Sequence, residues 1–84
     1  MYSTYVLKSE KDGRLYIGST SNLEIRLLEH KQGLVKSTRY RRPLALVYKE
    51  QFENKKDAQA RERYLKGGGK AKKLLKELIE NMGL

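Results

Sequence analysis

The chain has 84 residues, 38% of them apolar and 35% charged: enough for one modest core, too few for two domains, and too apolar for a disordered chain. Nineteen lysines and arginines against ten acids leave a net charge of +9, which favours polyanionic partners such as nucleic acid. The absence of cysteine excludes disulfides and thiolate metal sites, no apolar run reaches the roughly eighteen residues of a membrane span, and the N-terminal sequence lacks a signal-peptide layout, so a cytoplasmic protein without a membrane partner is expected.

The charge is spread evenly, +5 up to Arg42 and +4 beyond it, from nine cations against four acids and ten against six. Residues 2–7 read as a first strand, with Thr4, Tyr5 and Val6 supplying β-favouring side chains. Asp12-Gly13 is a hairpin signal that folds this strand back antiparallel onto residues 14–18. There Leu15 and Ile17 share one face and Tyr16 takes the other. A strict two-residue loop sets Ser9 opposite Tyr16 and leaves Tyr5 about 13 Å away along the sheet. A looser loop, sliding the pairing by two residues, roughly halves that gap and keeps both phenols on one face. It is the loop to expect if the two tyrosines cooperate.

After Gly18, Ser21 and Glu24 form a capping box, so a helix begins here and runs to about Gly33, a residue suited to a helix end. Arg26 and His30 stand one turn apart on it, beside the Leu23 and Leu27 stripe rather than on the solvent face. The arginine could cap a sheet carbonyl and the histidine could be a satisfied, partly buried side chain; the other reading is a functional site.

Residues 36–42, KSTRYRR, place Lys36, Arg39, Arg41 and Arg42 in a connector too polar to bury, and Pro43 pushes Arg42 into an extended conformation. The segment is either a solvated loop or one that grips phosphates through its arginines. Residues 44–48, LALVY, suit a strand covered on both faces and are expected at the centre of a three-stranded sheet. Asn54 caps a second helix with Asp57 in its first turn, and Ala58, Glu62 and Leu65 fall on its inward stripe. A carboxylate there must be paired or bound to a cation, so Glu62 is either in an ion pair with Arg26 or another base, or a metal ligand.

Gly67, Gly68 and Gly69 end that helix. Ala71, Leu74, Leu75, Leu78, Ile79 and Met82 then form the core stripe of a third. Its Lys70, Lys72, Lys73 and Lys76 make a solvated face that also attracts phosphates; an anionic membrane surface could use them too, but no aromatic residue accompanies the stripe. The expected architecture is a single α/β (α+β) domain over residues 1–84, β-β-α-β-α-α, with a three-stranded mainly antiparallel sheet flanked by helices.

This order of pieces resembles the GIY-YIG nuclease family, most closely its small single-domain bacterial members. Ser3-Thr4-Tyr5 stands where the first family motif belongs, with only its tyrosine kept, and Tyr16-Ile17-Gly18 is the second motif intact. Arg26, His30 and Glu62 fall where the family's helical residues lie. The resemblance spans essentially the whole chain and implies a metal-dependent endonuclease that hydrolyses DNA phosphodiester bonds. With no second domain, it would select substrate by shape and charge rather than sequence: branched or single-stranded DNA, RNA left open, and no obligate protein partner.

In the implied mechanism Glu62 holds one divalent ion, Mg²⁺ or Mn²⁺. Arg26 contacts the scissile phosphate, and Tyr16 acts as general base or orients the water, with Tyr5 beside it. A phenol ordinarily titrates near pH 10, so it needs neighbouring cations to act as a base, and His30 could accept the proton. The two phenols, the Arg26 guanidinium and the Glu62 carboxylate are expected to converge on one shallow basic pocket, with Lys36, Arg39, Arg41, Arg42, Lys70, Lys72 and Lys73 binding the nucleic-acid backbone. The alternative is a catalytically weak or inactive nucleic-acid-binding module on the same scaffold, acting on structured RNA or the ribosome.

Overall fold

The computed structural model describes residues 1–82. Strand β1 (Tyr2–Ser9) pairs antiparallel on one side with β2 (Leu15–Thr20) and on the other with β3 (Leu44–Phe52), giving the sheet order β2-β1-β3. Helix α1 (Leu23–Lys31) follows β2, a short 3₁₀ turn (Arg39–Arg41) precedes β3, and α2 (Lys55–Leu65) and α3 (Lys70–Met82) close the described chain. The order is β-β-α-β-α-α, as the hydrophobic periodicity predicts.

The central strand is β1, not the apolar LALVY segment, which begins the edge strand β3. Polar residues disguise β1 in the sequence, yet Ser3, Thr4 and Ser9 are all buried. Burial is tolerated where the hydroxyls find partners. Thr4 Oγ1 donates to the Ala58 carbonyl at 2.7 Å, and Ser9 Oγ donates to the Arg41 carbonyl at 2.6 Å. The LALVY residues are only half-buried up to Val47, with α2 and α3 packed on one face of β3, and as an edge strand β3 has one side of its backbone without a neighbouring strand among the described residues.

The β1–β2 hairpin takes the looser of the two loops. Leu7 rather than Ser9 lies opposite Tyr16, and Tyr5 faces Gly18. Residues 10–13 form the loop, closed by the Gly13 amide donating to the Ser9 carbonyl at 2.8 Å, with Gly13 at φ +74°, where a side chain would be strained. The Asp12 carboxylate accepts from the Arg14 amide at 2.8 Å and fixes the far end.

Helix α1 starts one residue later than the capping box predicts. The cap is Asn22, whose side-chain oxygen accepts from the Ile25 amide at 3.1 Å; a carboxamide already in reach of that amide displaces Ser21 from the role. Helix α2 starts as predicted, with Asn54 accepting from the Asp57 amide at 2.9 Å.

Cross-strand partners point to the same side of a sheet, and neighbours along a strand point to opposite sides. Thr4 and Val6 therefore face α2 and α3, together with their partners Ser19, Ile17 and Tyr48. On that face Val6, Tyr48, Leu65 and Leu75 form the core, with Leu78, Ile79 and Met82 of the predicted α3 stripe packed against it. Tyr5 and Leu7, with Gly18 and Tyr16, look the other way, towards α1. The connector between α1 and β3 also departs from its predicted polarity, because Thr38 is completely buried beneath it.

Candidate active site astride an edge strand

Tyr5 is fully buried at the middle of β1, and its hydroxyl has room only because Gly18 lies opposite. A Cβ on Gly18 would stand 2.7 Å from Tyr5 Oη, 2.8 Å from its Cζ and 3.1 Å from Tyr16 Cε1. The glycine of the second motif is thus a packing requirement for the two phenols. Tyr16, half-buried, brings its ring to 6.2 Å from that of Tyr5. His30 meets both edge-on, at 5.7 Å from Tyr5 and 5.0 Å from Tyr16, an arrangement aromatic quadrupoles favour.

His30 is held at both nitrogens. Nε2 lies 2.8 Å from Tyr5 Oη and Nδ1 lies 2.8 Å from Thr38 Oγ1, which is 3.5 Å from the Val35 carbonyl. Burial, then the Arg26 charge, pushes the imidazole down to about 4, so it is neutral near pH 7. Burial pushes the Tyr5 phenol up to about 12, and Arg26 only partly opposes it. A neutral imidazole offers one donor and one acceptor. The assignment that satisfies every group has Tyr5 donating to Nε2, Nδ1–H donating to Thr38, and Thr38 donating to Val35. Tyr5 is therefore a buried, protonated structural partner, and the accessible phenol is Tyr16.

Arg26, one turn before His30, lies beside the Tyr5 and Tyr16 hydroxyls, and its charge is reinforced first by Tyr5 and then by Glu29, 3.2 Å from Nη1. The structure thus brings Tyr5, Tyr16, Arg26 and His30 together on the α1 face.

Glu62 does not join them there. It reaches β2 from the α2 face, where Oε1 accepts from Ser19 Oγ at 2.6 Å and Oε2 is 2.6 Å from Lys66 Nζ. The expected ion pair is made with Lys66 rather than Arg26. Alternation along the strand explains the separation: Gly18 opens towards the phenols and Ser19, the next residue, turns to the carboxylate. The expected convergence of the phenols, Arg26 and Glu62 on one pocket therefore does not occur: the carboxylate and the phenols lie on opposite faces at β2. Burial raises the Glu62 carboxyl, but Lys66, Ser19 and Arg63 outweigh it and hold the group below the ordinary range, hence ionised at neutral pH.

The donor chemistry at Glu62 suits a hard divalent ion: one ionised carboxylate and a serine hydroxyl beside it, on a side chain 21% exposed. Among the described residues no three His, Cys, Asp or Glu cluster as a metal cage. Such an ion would take most of its ligands from water and phosphate, and Lys66 would compete with it for Oε2.

Of the predicted backbone-binding residues, Lys36, Arg39, Arg42, Lys70, Lys72 and Lys73 are exposed. Arg41 is not freely displayed, since its Nε sits 3.5 Å from Asp12 of the hairpin loop. Arg42 donates to the Arg39 and Lys31 carbonyls and pins the connector to the end of α1. Lys70, Lys72 and Lys73 belong to α3, which packs on the sheet face away from the phenols. Sequence reasoning passed over Thr38 and Ser19. The signal for Thr38 was a hydroxyl inside a cationic run, eight residues after a histidine that needs a second partner. For Ser19 it was strand alternation past the motif glycine.

The family model described as GIY-YIG catalytic domain matches residues 1–75. A UPF0213 protein of Clostridium perfringens is 52% identical over 67 residues, 79% of this chain and 71% of the relative. One of Staphylococcus saprophyticus is 42% identical over 71 residues, 83% and 85% respectively. The solution NMR structure of a UPF0213 protein from Bacillus halodurans superimposes with a TM-score of 0.55 at 32% identity, covering 89% of this chain and 81% of that one.

Proposed function

The chain belongs to the GIY-YIG family, and from that premise we propose that it is a metal-dependent endonuclease that cuts DNA by phosphodiester hydrolysis, choosing branched or single-stranded substrates by structure rather than sequence. The observation that carries this reading is the contiguous Tyr16, Arg26 and His30 cluster on one side of β2 with an ionised Glu62 on the other. Hydrolysis needs a positioned water, charge neutralisation at the phosphoryl oxygens and stabilisation of the leaving oxygen.

Arg26 supplies a fixed positive charge and up to two parallel donors for the non-bridging oxygens of the scissile phosphate. Tyr16, the accessible phenol, orients the attacking water and passes its proton towards solvent. Tyr5 and His30 hold the ring and guanidinium in place through the chain of hydrogen bonds that runs through Thr38 to the Val35 carbonyl. Glu62, with Ser19 aligning its carboxylate, would hold Mg²⁺ or Mn²⁺, whose charge stabilises the leaving oxygen when bound.

The test is cleavage of a labelled branched or single-stranded DNA with Mg²⁺ or Mn²⁺ by the wild type, Arg26→Ala, Tyr16→Phe and Glu62→Ala. Cutting by the wild type alone is the expected result, with DNA binding retained in Tyr16→Phe and Glu62→Ala and weakened in Arg26→Ala by the loss of its phosphate contact. The separation of Glu62 from the phenols and its pairing with Lys66 favour a second reading, a basic nucleic-acid-binding module without useful turnover. Salt-sensitive binding with no cleavage across substrates and metals establishes that reading and overturns the first.

A further inference from the structure

On the α1 face, next to the phenols, lies an open trough of about 810 Å³, within the range of pockets that hold small ligands. Leu7 and Leu46, cross-strand partners, lie in its lining with Leu27 of α1. Its cations are Lys11, Lys31, Arg39 and Arg42, and among the described residues no carboxylate lines it. His30 is shared between this trough and the catalytic cluster, since its Nε2 is 2.8 Å from Tyr5 Oη. Nothing in the hydrolytic mechanism uses the apolar part of this space.

An apolar bed with an all-cationic border matches a ligand with a flat apolar portion and an attached anion. Tyr40 adds a specific feature: it lines the trough, is 76% exposed, and carries the Arg39 guanidinium 5.1 Å from its ring centroid. An exposed aromatic beside cations is the platform on which unpaired bases stack, whereas a base inside a duplex is stacked and paired already. Arg42, tied to the Lys31 and Arg39 carbonyls, gives part of the border a fixed geometry.

We propose that the trough receives an unpaired base of a DNA strand, with Tyr40 as its stacking partner and Arg39, Arg42 and Lys31 on the flanking phosphates. Its place on the same bound strand as the scissile phosphate rests on the nuclease reading above; its preference for an unpaired base does not. The subsite explains how a domain of this size selects DNA by structure: only a strand that can free a base fills it.

The experiment is fluorescence anisotropy with a labelled single-stranded oligonucleotide and the duplex of the same sequence, in EDTA so that no cutting occurs. The wild type is expected to bind the single strand more tightly than the duplex. Tyr40→Ala, at a solvent-exposed position, should weaken single-strand binding about tenfold and shift duplex binding by less than about twofold. Tyr40→Phe should restore the preference, and the slope of affinity against salt should stay the same, since no phosphate contact is removed. Equal wild-type affinity for both forms, or equal weakening of both by Tyr40→Ala, overturns the proposal. Cleavage is scored separately with Mg²⁺: a single-strand preference without cutting supports the subsite and sinks the nuclease reading, while cutting without the preference does the reverse.

Discussion

Replacing Gly18 by alanine is the most direct perturbation of the phenol cluster, because the cost follows from contacts rather than backbone conformation. The new methyl would stand 2.7 Å from Tyr5 Oη and 2.8 Å from Cζ, and Tyr5 is fully buried with its hydroxyl bonded to His30. Overpacking a filled core costs about 1–3 kcal/mol, and dislodging the Tyr5 hydroxyl adds about 1 kcal/mol. Alanine recovers roughly 0.4–1 kcal/mol by restricting the unfolded chain. The net expectation is destabilisation of about 1–3 kcal/mol, and at roughly 4–8 °C per kcal/mol for a domain this small, a Tm lowered by at least about 4 °C. Urea unfolding of Gly18→Ala, Tyr5→Phe and the double variant measures it. Removing the oxygen relieves part of the clash, so the two changes should couple by at least about 0.5 kcal/mol in the stabilising direction. A Gly18→Ala protein as stable as the wild type, or strict additivity, would show that the phenol does not pack against residue 18.

Thr38→Val removes the partner of His30 Nδ1 inside the fold and should cost about 1–3 kcal/mol, with Thr38→Ser largely restoring stability, both read from urea midpoints. The His30 value of about 4 lies below the ordinary 6.5, so the unfolded chain binds more protons between those values; its contribution is complete above pH 6.5 and is lost as the pH falls towards 4, by an amount on the order of 1–2 kcal/mol. Denaturation series at pH 7 and 4.5 should show that loss in the wild type and a smaller one in His30→Gln; identical pH dependence would refute it. Lys66→Met frees Oε2 of Glu62 and should tighten Mn²⁺ binding, seen as stronger paramagnetic broadening of the Ser19 and Glu62 NMR signals at a given Mn²⁺ concentration. Unchanged broadening would mean that the carboxylate holds no ion.

The helices, the hairpin and the pairing of the phenols were legible in the residues because each rests on a local rule: alternation around Tyr16, an Asx cap at Asn54, a glycine after α1. The loop register could be reasoned as well, since a pairing slid by two residues roughly halves the gap between Tyr5 and Tyr16 and keeps them on one face, and that is the pairing observed. What local rules could not supply was the third dimension. Strand order depends on which polar groups find distant partners: Thr4 can be buried on the central strand because a carbonyl 54 residues later accepts the hydrogen bond from its hydroxyl. For the same reason Glu62 could be recognised as an inward carboxylate but not assigned to a face. Helical periodicity shows that a side chain turns inward without showing which side of the sheet the helix covers.

The division of the site by β2 changes what the substrate must do. β2 is an edge strand, so one side of its backbone has no neighbouring strand. Successive residues of the strand face opposite ways, bare Gly18 towards the phenol cluster and the Ser19 side chain towards Glu62. A phosphate sunk into the α1 face would meet Arg26 and Tyr16 but not the carboxylate. One held against the outer margin of β2 can meet Arg26 from one side and an ion on Glu62 from the other. On the nuclease reading, the cut phosphate therefore belongs at that margin, with the bound strand passing across β2 towards the α1 face. The geometry also orders the variants: Ser19→Ala, which frees Glu62 Oε1 without touching the phenols, should impair cutting while leaving the single-strand preference intact, whereas Tyr40→Ala should remove that preference without preventing cutting of an already bound strand. If Ser19→Ala and Tyr40→Ala affect both measurements alike, the metal side and the base side are not separate, and the arrangement across β2 is refuted.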